Sequence, residues 1–209
     1  MEPNQAAAAI GPVLGYLDHA GIAVFALSGA VVAAAKRQTF VTFVFFAIIT
    51  GIGGGTVRDL LIGAPVFWIR ENSILLICIA AAVLVWLVPQ RICRGNALLW
   101  LDAVGLAAYA TFGAAKGLAF AVAPLPAIAM GVLTACVGGI IRDVLTGEPS
   151  ILMRPELYVT AAALSSALMV ALLLLGMPDY AAGAVAALVG FGLRAGAILK
   201  GWALPAYGR

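Results

Sequence analysis

The sequence predicts an all-α integral membrane protein with seven transmembrane helices, arranged as two inverted three-helix repeats followed by a seventh helix. Three observations lead to this fold class: long apolar segments, a charged motif that occurs twice, and an odd number of segments between its two copies. Of the 209 residues, 64% are hydrophobic and 10% are charged, and the mean hydropathy is +1.11. A soluble domain of this size needs more charge to cover its surface, so the composition excludes the soluble classes.

Seven apolar segments approach the roughly 20 residues that a helix needs to cross a bilayer core. Charged residues or the turn formers glycine and proline separate them. The predicted helices are 18–35, 39–62, 72–88, 98–119, 124–146, 157–176 and 180–199. Lys116 interrupts the fourth segment. We expect this residue near a helix end, with its ammonium group extending to the lipid headgroups.

The motif GGxxRDxLxGxP occurs twice, first from Gly54 to Pro65 and again 84 residues later from Gly138 to Pro149. Such internal periodicity is typical of a duplicated structural unit. Three segments separate equivalent positions, so the second copy enters the membrane from the opposite side, as in an inverted repeat. We expect one membrane domain, 1–209, with repeat one at about 16–89, repeat two at about 97–176 and an extra helix at about 180–199. The same offset also aligns Asp18 with Asp102, Gly21 with Gly105, Gly29 with Gly113, Thr50 with Thr134 and Arg70 with Arg154.

The basic residues of the loops predict the orientation of the chain. The side with more lysine and arginine is expected to be cytoplasmic. The other side has Arg70, with Lys116 near a helix end, so the N-terminus is predicted outside and the C-terminus inside. The residues on the richer side are Lys36, Arg37, Arg91, Arg94, Arg154, Lys200 and Arg209.

Clusters of glycine lie in the second and fifth helices, although each glycine costs a helix about 1 kcal/mol relative to alanine. One explanation is close packing between helices. The explanation we favour is a break or kink that frees carbonyl oxygens, which with threonine hydroxyls suit a partly dehydrated alkali cation. The candidate pore and kink residues are Gly53, Gly54, Gly55, Gly138, Gly139, Thr50 and Thr134.

Each motif also carries an arginine beside an aspartate. Neighbouring helical residues point to different sides, so Arg58 and Asp59, like Arg142 and Asp143, are not expected to neutralise each other. The topology predicts other partners: Asp18 for Arg58 at the outer end, and Asp102 for Arg142 at the inner end. These charges are either structural anchors or groups that line the two mouths of a path. An arginine facing a cation path has to be paired or to act as a gate.

Little in the sequence points to catalysis or cofactors. Cys78, Cys93 and Cys136 form no paired motif, and His19 is the single histidine, expected to be a packing residue. No nucleotide-binding, metalloprotease or serine hydrolase motif occurs. We therefore expect no enzyme activity, no cofactor, no fixed metal site and no nucleic-acid partner.

The doubled motif, the helix count and the length resemble the prokaryotic members of the TRIC family, the trimeric intracellular cation channels. The resemblance extends from about Asp18 to Lys200. It implies a homotrimer in which each subunit has its own pore for transient potassium ions, with membrane lipids as further partners. It also implies kinked second and fifth helices and the inner or plasma membrane of a prokaryote. Val137 stands where the first copy has Gly53, so the two kinks are not expected to be identical.

A second class of protein fits the same architecture. Inverted repeats with broken helices also build secondary transporters of small metabolites or ions. A transporter usually needs groups at the midplane that bind substrate or protons, whereas these segments carry glycine and threonine there. This favours a potassium channel over a transporter. The glycine clusters also argue against a scaffold that has no path.

Overall fold

The structure is a computed structural model that describes residues 12–89, 93, 96–153 and 155–205. Within this part of the chain, seven long α-helices form, as the sequence predicts. They are α1 (Pro12–Ala35), α2 (Phe40–Leu61), α3 (Asn72–Leu87), α4 (Ala97–Ala119), α5 (Pro124–Leu145), α6 (Val159–Leu174) and α7 (Asp179–Lys200). Two 3₁₀ helices, Phe67–Ile69 and Ile151–Met153, follow α2 and α5. Four of the loop charges used for the orientation, Arg91, Arg94, Arg154 and Arg209, lie outside the described residues.

The helices differ in their capacity to span a membrane. Five of those described, α1, α2, α4, α5 and α7, contain an apolar stretch of at least 18 residues. By contrast, α3 and α6 are apolar helices of only 16 residues each. At 1.5 Å per residue, 16 residues rise about 24 Å, less than the roughly 30 Å of a hydrocarbon core. The third helix ends one residue before its predicted end at 88, and the sixth is four residues shorter than the predicted 157–176.

The two motif copies end their helices in the same way. Gly63 and Gly147 follow α2 and α5, and both have φ of 67°. Glycine adopts this left-handed conformation without the steric cost of a Cβ atom. Beyond each glycine, the chain folds back onto the last helical turn: the N–H of Ala64 donates to the carbonyl of Asp59 at 2.9 Å, and that of Glu148 to the carbonyl of Asp143 at 3.0 Å. This is the hydrogen-bond pattern of a Schellman cap.

Equivalent helices of the two halves pack against each other, α1 on α4 and α2 on α5. Gly54 lies against Thr134, whereas Gly138 lies against Thr50. The residue number rises along α2 as it falls along α5, so these two helices are antiparallel. Contacts of Gly21 with Tyr109 and of Gly105 with Phe25 give the same result for α1 and α4. The helix without a counterpart, α7, packs on α4 and α6.

Candidate functional site

The α2–α5 crossing is the centre of the site predicted from the glycines. Both helices are continuous through their glycine clusters, so the predicted break is wrong. A Cβ atom on Gly54 would overlap the carbonyl oxygen of Thr134, and one on Gly138 would overlap that of Thr50. Glycine is needed because two backbones approach each other here, which is the packing explanation. A bend within the continuous helices stays a prediction.

The other three glycines of the predicted set lie around this crossing. A Cβ atom on Gly53 would be 3.3 Å from Cδ1 of Ile141 and 3.6 Å from Cα of Gly138. On Gly55 it would be 2.7 Å from the Phe67 ring, and on Gly139 it would be 3.3 Å from the Tyr158 hydroxyl. The nearest atoms at these three positions belong to side chains, which can shift more readily than the backbone carbonyls beside Gly54 and Gly138.

The two predicted threonines lie at the crossing but differ in hydrogen bonding. Both side chains are buried, each with 1% exposure. Thr134 Oγ1 donates to the carbonyl of Met130 at 2.6 Å, within its own helix. Thr50 Oγ1 is without a hydrogen-bond partner among the described residues. A buried hydroxyl without a partner carries a desolvation cost, so Thr50 is the more informative of the two.

Arg142 is surrounded by acceptors at the end of α5. Its Nη1 and Nη2 donate to the two carboxylate oxygens of Asp102 at 2.7 and 3.0 Å, which confirms the predicted pairing of these residues. Its Nε and Nη2 donate to Oδ1 of Asp143 at 2.9 and 2.8 Å. The Ser28 hydroxyl accepts a further bond from Nη1 at 3.0 Å. One buried guanidinium therefore meets two carboxylates, the arrangement in which its fork geometry binds most strongly.

Arg58, at the equivalent position on α2, has fewer partners. Its Nε donates to Oδ1 of Asp59 at 2.8 Å, but Nη1 and Nη2 are without partners in the described chain. The predicted partner Asp18 thus receives no hydrogen bond from Arg58, and Oδ1 of Asp18 is also buried without a hydrogen-bond partner among the described residues. The guanidinium instead lies over the Phe112 ring, with Cζ 5.0 Å from its centroid. Phe112 occupies the position equivalent to Ser28, so an aromatic face replaces a hydroxyl acceptor.

The expectation that adjacent arginine and aspartate cannot neutralise each other is wrong in both motifs. The bonds from Arg58 to Asp59 and from Arg142 to Asp143 are 2.8 Å long. Each pair lies in the last turn of its helix, where the long arginine side chain can curl back to its neighbour. Each aspartate also accepts a bond from the 3₁₀ helix that follows. Oδ2 of Asp59 accepts the N–H of Phe67 at 3.1 Å, and Oδ2 of Asp143 accepts the N–H of Ile151 at 3.2 Å.

Lys116 is buried in α4, with 8% exposure, and does not extend to the headgroups as predicted. Its Nζ lies 2.9 Å from Oδ1 and 3.1 Å from Oδ2 of Asp59. A buried ammonium group is stable only with such a charged partner. Alignment of the two repeats gave no indication of this role, because the residue equivalent to Lys116 in repeat one is the uncharged Val32.

A cavity of about 340 Å³ adjoins the Arg142 cluster. Asp102, Arg142 and Asp143 line it, together with the side chain of Ile151. An ion pair between Lys36 and Glu148 lies at its wall and joins the loops after α1 and α5. Among the described residues, no group of three or more histidine, cysteine or acidic side chains is arranged to hold a metal ion.

Sequence reasoning missed two buried polar contacts. Arg194 in α7 is fully buried, donates to Glu156 at 2.6 Å and lies 5.3 Å from the centroid of the Tyr158 ring. A charged residue inside the last apolar segment was the available signal. The hydroxyl of Tyr109 donates to the carbonyl of Gly51 at 2.8 Å, and the equivalent Phe25 has no hydroxyl.

His19 also differs from the prediction, because its ring is partly exposed, hydrogen-bonded to the Gly15 carbonyl and 3.5 Å from Glu71.

The fold is similar to solved structures of cation channels. The TRIC trimeric intracellular cation channel orthologue from Rhodobacter sphaeroides is 41% identical, with a TM-score of 0.85, and the match covers 92% of this chain and all of that one. A second TRIC cation channel structure, 30% identical, matches with a TM-score of 0.81 over 93% of this chain and 97% of the other. The chain belongs to the TRIC family. A prokaryotic TRIC channel crystallised in 0.5 M KCl is 27% identical, with a TM-score of 0.83.

Proteins similar in sequence to this TRIC-family chain have names that do not mention a channel. A family model described as "Glycine transporter" matches residues 15–90 and 99–173. A UPF0126 membrane protein of Vibrio cholerae is 41% identical over 151 residues, which are 69% of this chain and 62% of that protein. The UPF0126 inner membrane protein YadS of Escherichia coli K12 is 38% identical over 150 residues, 70% of this chain and 72% of YadS. The chain is thus a multi-pass membrane protein with relatives in bacterial inner membranes.

Proposed function

We propose that this TRIC-family protein is a potassium-permeable cation channel with a pore within each subunit of a homotrimer. The observation that carries this proposal is the 0.85 TM-score and 41% identity to the TRIC orthologue of Rhodobacter sphaeroides over 92% of the chain. That protein is a trimeric cation channel by its description. The threonine hydroxyls and backbone carbonyls along the proposed path support this activity, because such oxygens suit alkali cations.

The proposed path runs alongside α2 and α5 and passes beside their crossing, with the Arg58 and Arg142 clusters at its two ends. The antiparallel packing of these helices supports the assignment of the clusters to opposite ends. Asp102 and Asp143 pair with Arg142, which removes the objection that a bare arginine repels cations. Thr50 is the best candidate for an ion-facing hydroxyl, because it has no hydrogen-bond partner in the described chain.

The two halves are proposed to be inverted repeats. Their equivalent helices pack antiparallel, and the family model matches two segments, 15–90 and 99–173, close to the repeats that the sequence predicts. With the positive-inside rule, this supports an N-terminus outside and a C-terminus in the cytoplasm. The corresponding loops after α2 and α5 then lie on opposite sides of the membrane.

Flux measurements test the channel proposal directly. Purified protein in planar bilayers is expected to give discrete single-channel currents in potassium chloride, and potassium-loaded liposomes that contain it are expected to lose potassium. The variant Thr50→Val distinguishes flux through a protein path from leakage of the bilayer. A changed ratio of potassium to sodium flux in this variant would show that the Thr50 hydroxyl contributes to selectivity. Intact, folded protein that carries no potassium in either assay would reject the proposal.

A secondary transporter remains a second candidate, since the matching family model is described as a glycine transporter. Inverted repeats also build transporters. Uptake of labelled glycine into the same liposomes discriminates the two. A carrier gives saturable glycine uptake and no discrete currents, whereas the channel gives currents whether or not glycine is present.

A further inference from the structure

One difference between the two ends of the proposed path lies at the equivalent positions Phe67 and Ile151. Both residues begin the 3₁₀ helix that follows their motif. Both backbone N–H groups donate to Oδ2 of the motif aspartate, at 3.1 Å for Phe67 and 3.2 Å for Ile151. The motif aspartate therefore holds the backbone in the same way at both positions, whereas the two side chains differ in size and shape.

The Phe67 ring covers the Arg58 cluster. It lies directly against Gly55, and its centroid is 5.8 Å from both Cζ of Arg58 and Nζ of Lys116. With Phe112 on another side, aromatic rings enclose the guanidinium, and Arg58 and Asp59 are both 0% exposed. The Trp68 indole N–H donates to the Thr56 hydroxyl at 3.0 Å, which ties this 3₁₀ helix to α2.

The equivalent region at the other end is open. Ile151 has no aromatic ring to extend over Arg142, and a cavity of about 340 Å³ reaches Asp102, Arg142 and Asp143. Ser28 replaces Phe112 here and bonds to the guanidinium at 3.0 Å. The side chain of Asp143 is 11% exposed, whereas that of Asp59 is 0% exposed. Two aromatic side chains at the Arg58 end, Phe67 and Phe112, are thus replaced by smaller ones at the Arg142 end, where the Tyr158 hydroxyl lies beside Gly139 instead.

We propose that the Phe67 ring is the plug that limits ion passage at the Arg58 end, and that the cavity at Arg142 is an open vestibule. This inference rests on the proposed channel function. An apolar ring at a constriction excludes water and so obstructs an ion that needs hydration. Its attraction to the two neighbouring cations holds the ring in place.

Reciprocal exchange of the two side chains tests the plug. Phe67→Ile introduces the side chain of the open end, and Ile151→Phe introduces the aromatic ring at the vestibule. In potassium-loaded liposomes, we expect Phe67→Ile and Phe67→Ala to increase flux several-fold, and Ile151→Phe to reduce it several-fold. Ile69→Ala is the matched control, since Ile69 lies in the same 3₁₀ helix but is 67% exposed, and it is expected to conduct like the parent.

The outcomes separate the plug from the channel proposal. A parent protein without potassium flux rejects the channel function itself. A conducting parent with unchanged flux in folded Phe67→Ile rejects the plug alone, as does an equal increase in Ile69→Ala. Size-exclusion profiles and thermal stability identify the folded variants. If both Phe67 variants fail to fold, Ile151→Phe decides, and undiminished flux in that variant overturns the assignment.

Discussion

A buried guanidinium destabilises a membrane protein unless carboxylates and hydrogen bonds compensate for its lost hydration. Arg142 is fully compensated by Asp102, Asp143 and Ser28. Arg58 is compensated by Asp59 and aromatic faces, and Lys116 shares the same aspartate. Equivalent arginines therefore depend on their neighbours to different degrees.

This difference predicts unequal effects of removing the equivalent carboxylates. Asp102→Asn takes the bidentate partner from Arg142, and breaking a buried ion pair of this kind costs on the order of 3–5 kcal/mol. Asp18→Asn is the matched variant and is expected to cost less, because Arg58 donates no hydrogen bond to Asp18. Thermal unfolding in detergent measures both, and an equal loss of stability would show that Asp18 is engaged as strongly as Asp102.

The glycines of the crossing are predicted to be essential for packing. Gly54→Ala and Gly138→Ala would place a methyl group against a carbonyl oxygen of the opposite backbone. Overpacking of this kind costs about 1–3 kcal/mol, more than the roughly 1 kcal/mol that alanine gains over glycine in a helix. Gly192→Ala is the control, because no atom lies within 4 Å of its Cβ position, and it is expected to be neutral or stabilising. Variants of Gly54 and Gly138 with parental thermal stability would contradict the close crossing.

The threonine hydroxyls are predicted to separate stability from flux. Thr50→Val removes a buried hydroxyl without a partner, so stability is expected to be unchanged or higher. Thr134→Val removes the bond to Met130, worth about 0.6 kcal/mol inside a membrane protein. If the Thr50 hydroxyl faces the path, only Thr50→Val changes potassium-to-sodium selectivity without loss of stability. Unaltered selectivity in that variant would remove Thr50 from the path.

At the scale of the helices, the architecture depends on two antiparallel pairs. Between α1 and α4, the rings of Tyr109 and Phe25 pack against Gly21 and Gly105. Between α2 and α5, Gly54 and Gly138 allow the two backbones to approach closely. Small residues are what helices need to approach closely in lipid, where no hydrophobic force drives them together. The α2–α5 pair also sets the distance between the two motif clusters, since each motif ends its helix.

Cysteine labelling tests the inversion of the helices in intact cells. Ile69 and Met153 are equivalent, 84 residues apart, and 67% and 82% exposed. Ile69→Cys and Met153→Cys are expected to react with impermeant thiol reagents from opposite sides, with Met153 on the cytoplasmic side. Gln38→Cys, before α2, is expected to behave like Met153→Cys. The native thiols Cys78, Cys93 and Cys136 are buried and provide the background control. Labelling of Ile69→Cys and Met153→Cys from the same side would reject the inverted repeat.

At the scale of the whole molecule, several helices leave apolar side chains uncovered in a single subunit. Exposed residues of this kind include Leu76 and Leu84 on α3, Leu174 and Leu175 near the end of α6, and Leu188 on α7. Lipid accounts for such a surface as well as a second subunit does. The proposed homotrimer therefore rests on the likeness to a channel described as trimeric.

Native mass spectrometry of the full chain in mild detergent checks the assembly. We expect a trimer whose mass is three times the 21.3 kDa of one subunit. Van der Waals packing between helices is the driving force, so the trimer is expected to persist at high salt. Cross-linking in native membranes controls for detergent effects. Monomers or dimers alone in both measurements would reject the trimer and leave the pore within the subunit as a separate question.

The sequence by itself determined the number of helices, their approximate bounds and the equivalence of the two motifs. These features follow from local properties: apolar length sets a membrane helix, and a glycine after the motif ends it. The Asp102–Arg142 pair also followed from the repeat, because a duplicated motif on antiparallel helices brings equivalent charges to equivalent places.

The tertiary structure alone decided which groups meet at each end. Lys116 took part of the role predicted for Asp18 because it reaches Asp59 from α4, and its equivalent Val32 gave no indication of a charge. Gly54 and Gly138 proved to serve a backbone contact between helices, which spacing along one chain cannot distinguish from a break. Burial of Arg58 under Phe67 and Phe112, and exposure of the Arg142 cluster to a cavity, likewise depend on neighbours distant in sequence. Local pattern specifies an element, whereas the charge balance and access of a buried site arise only when the elements pack.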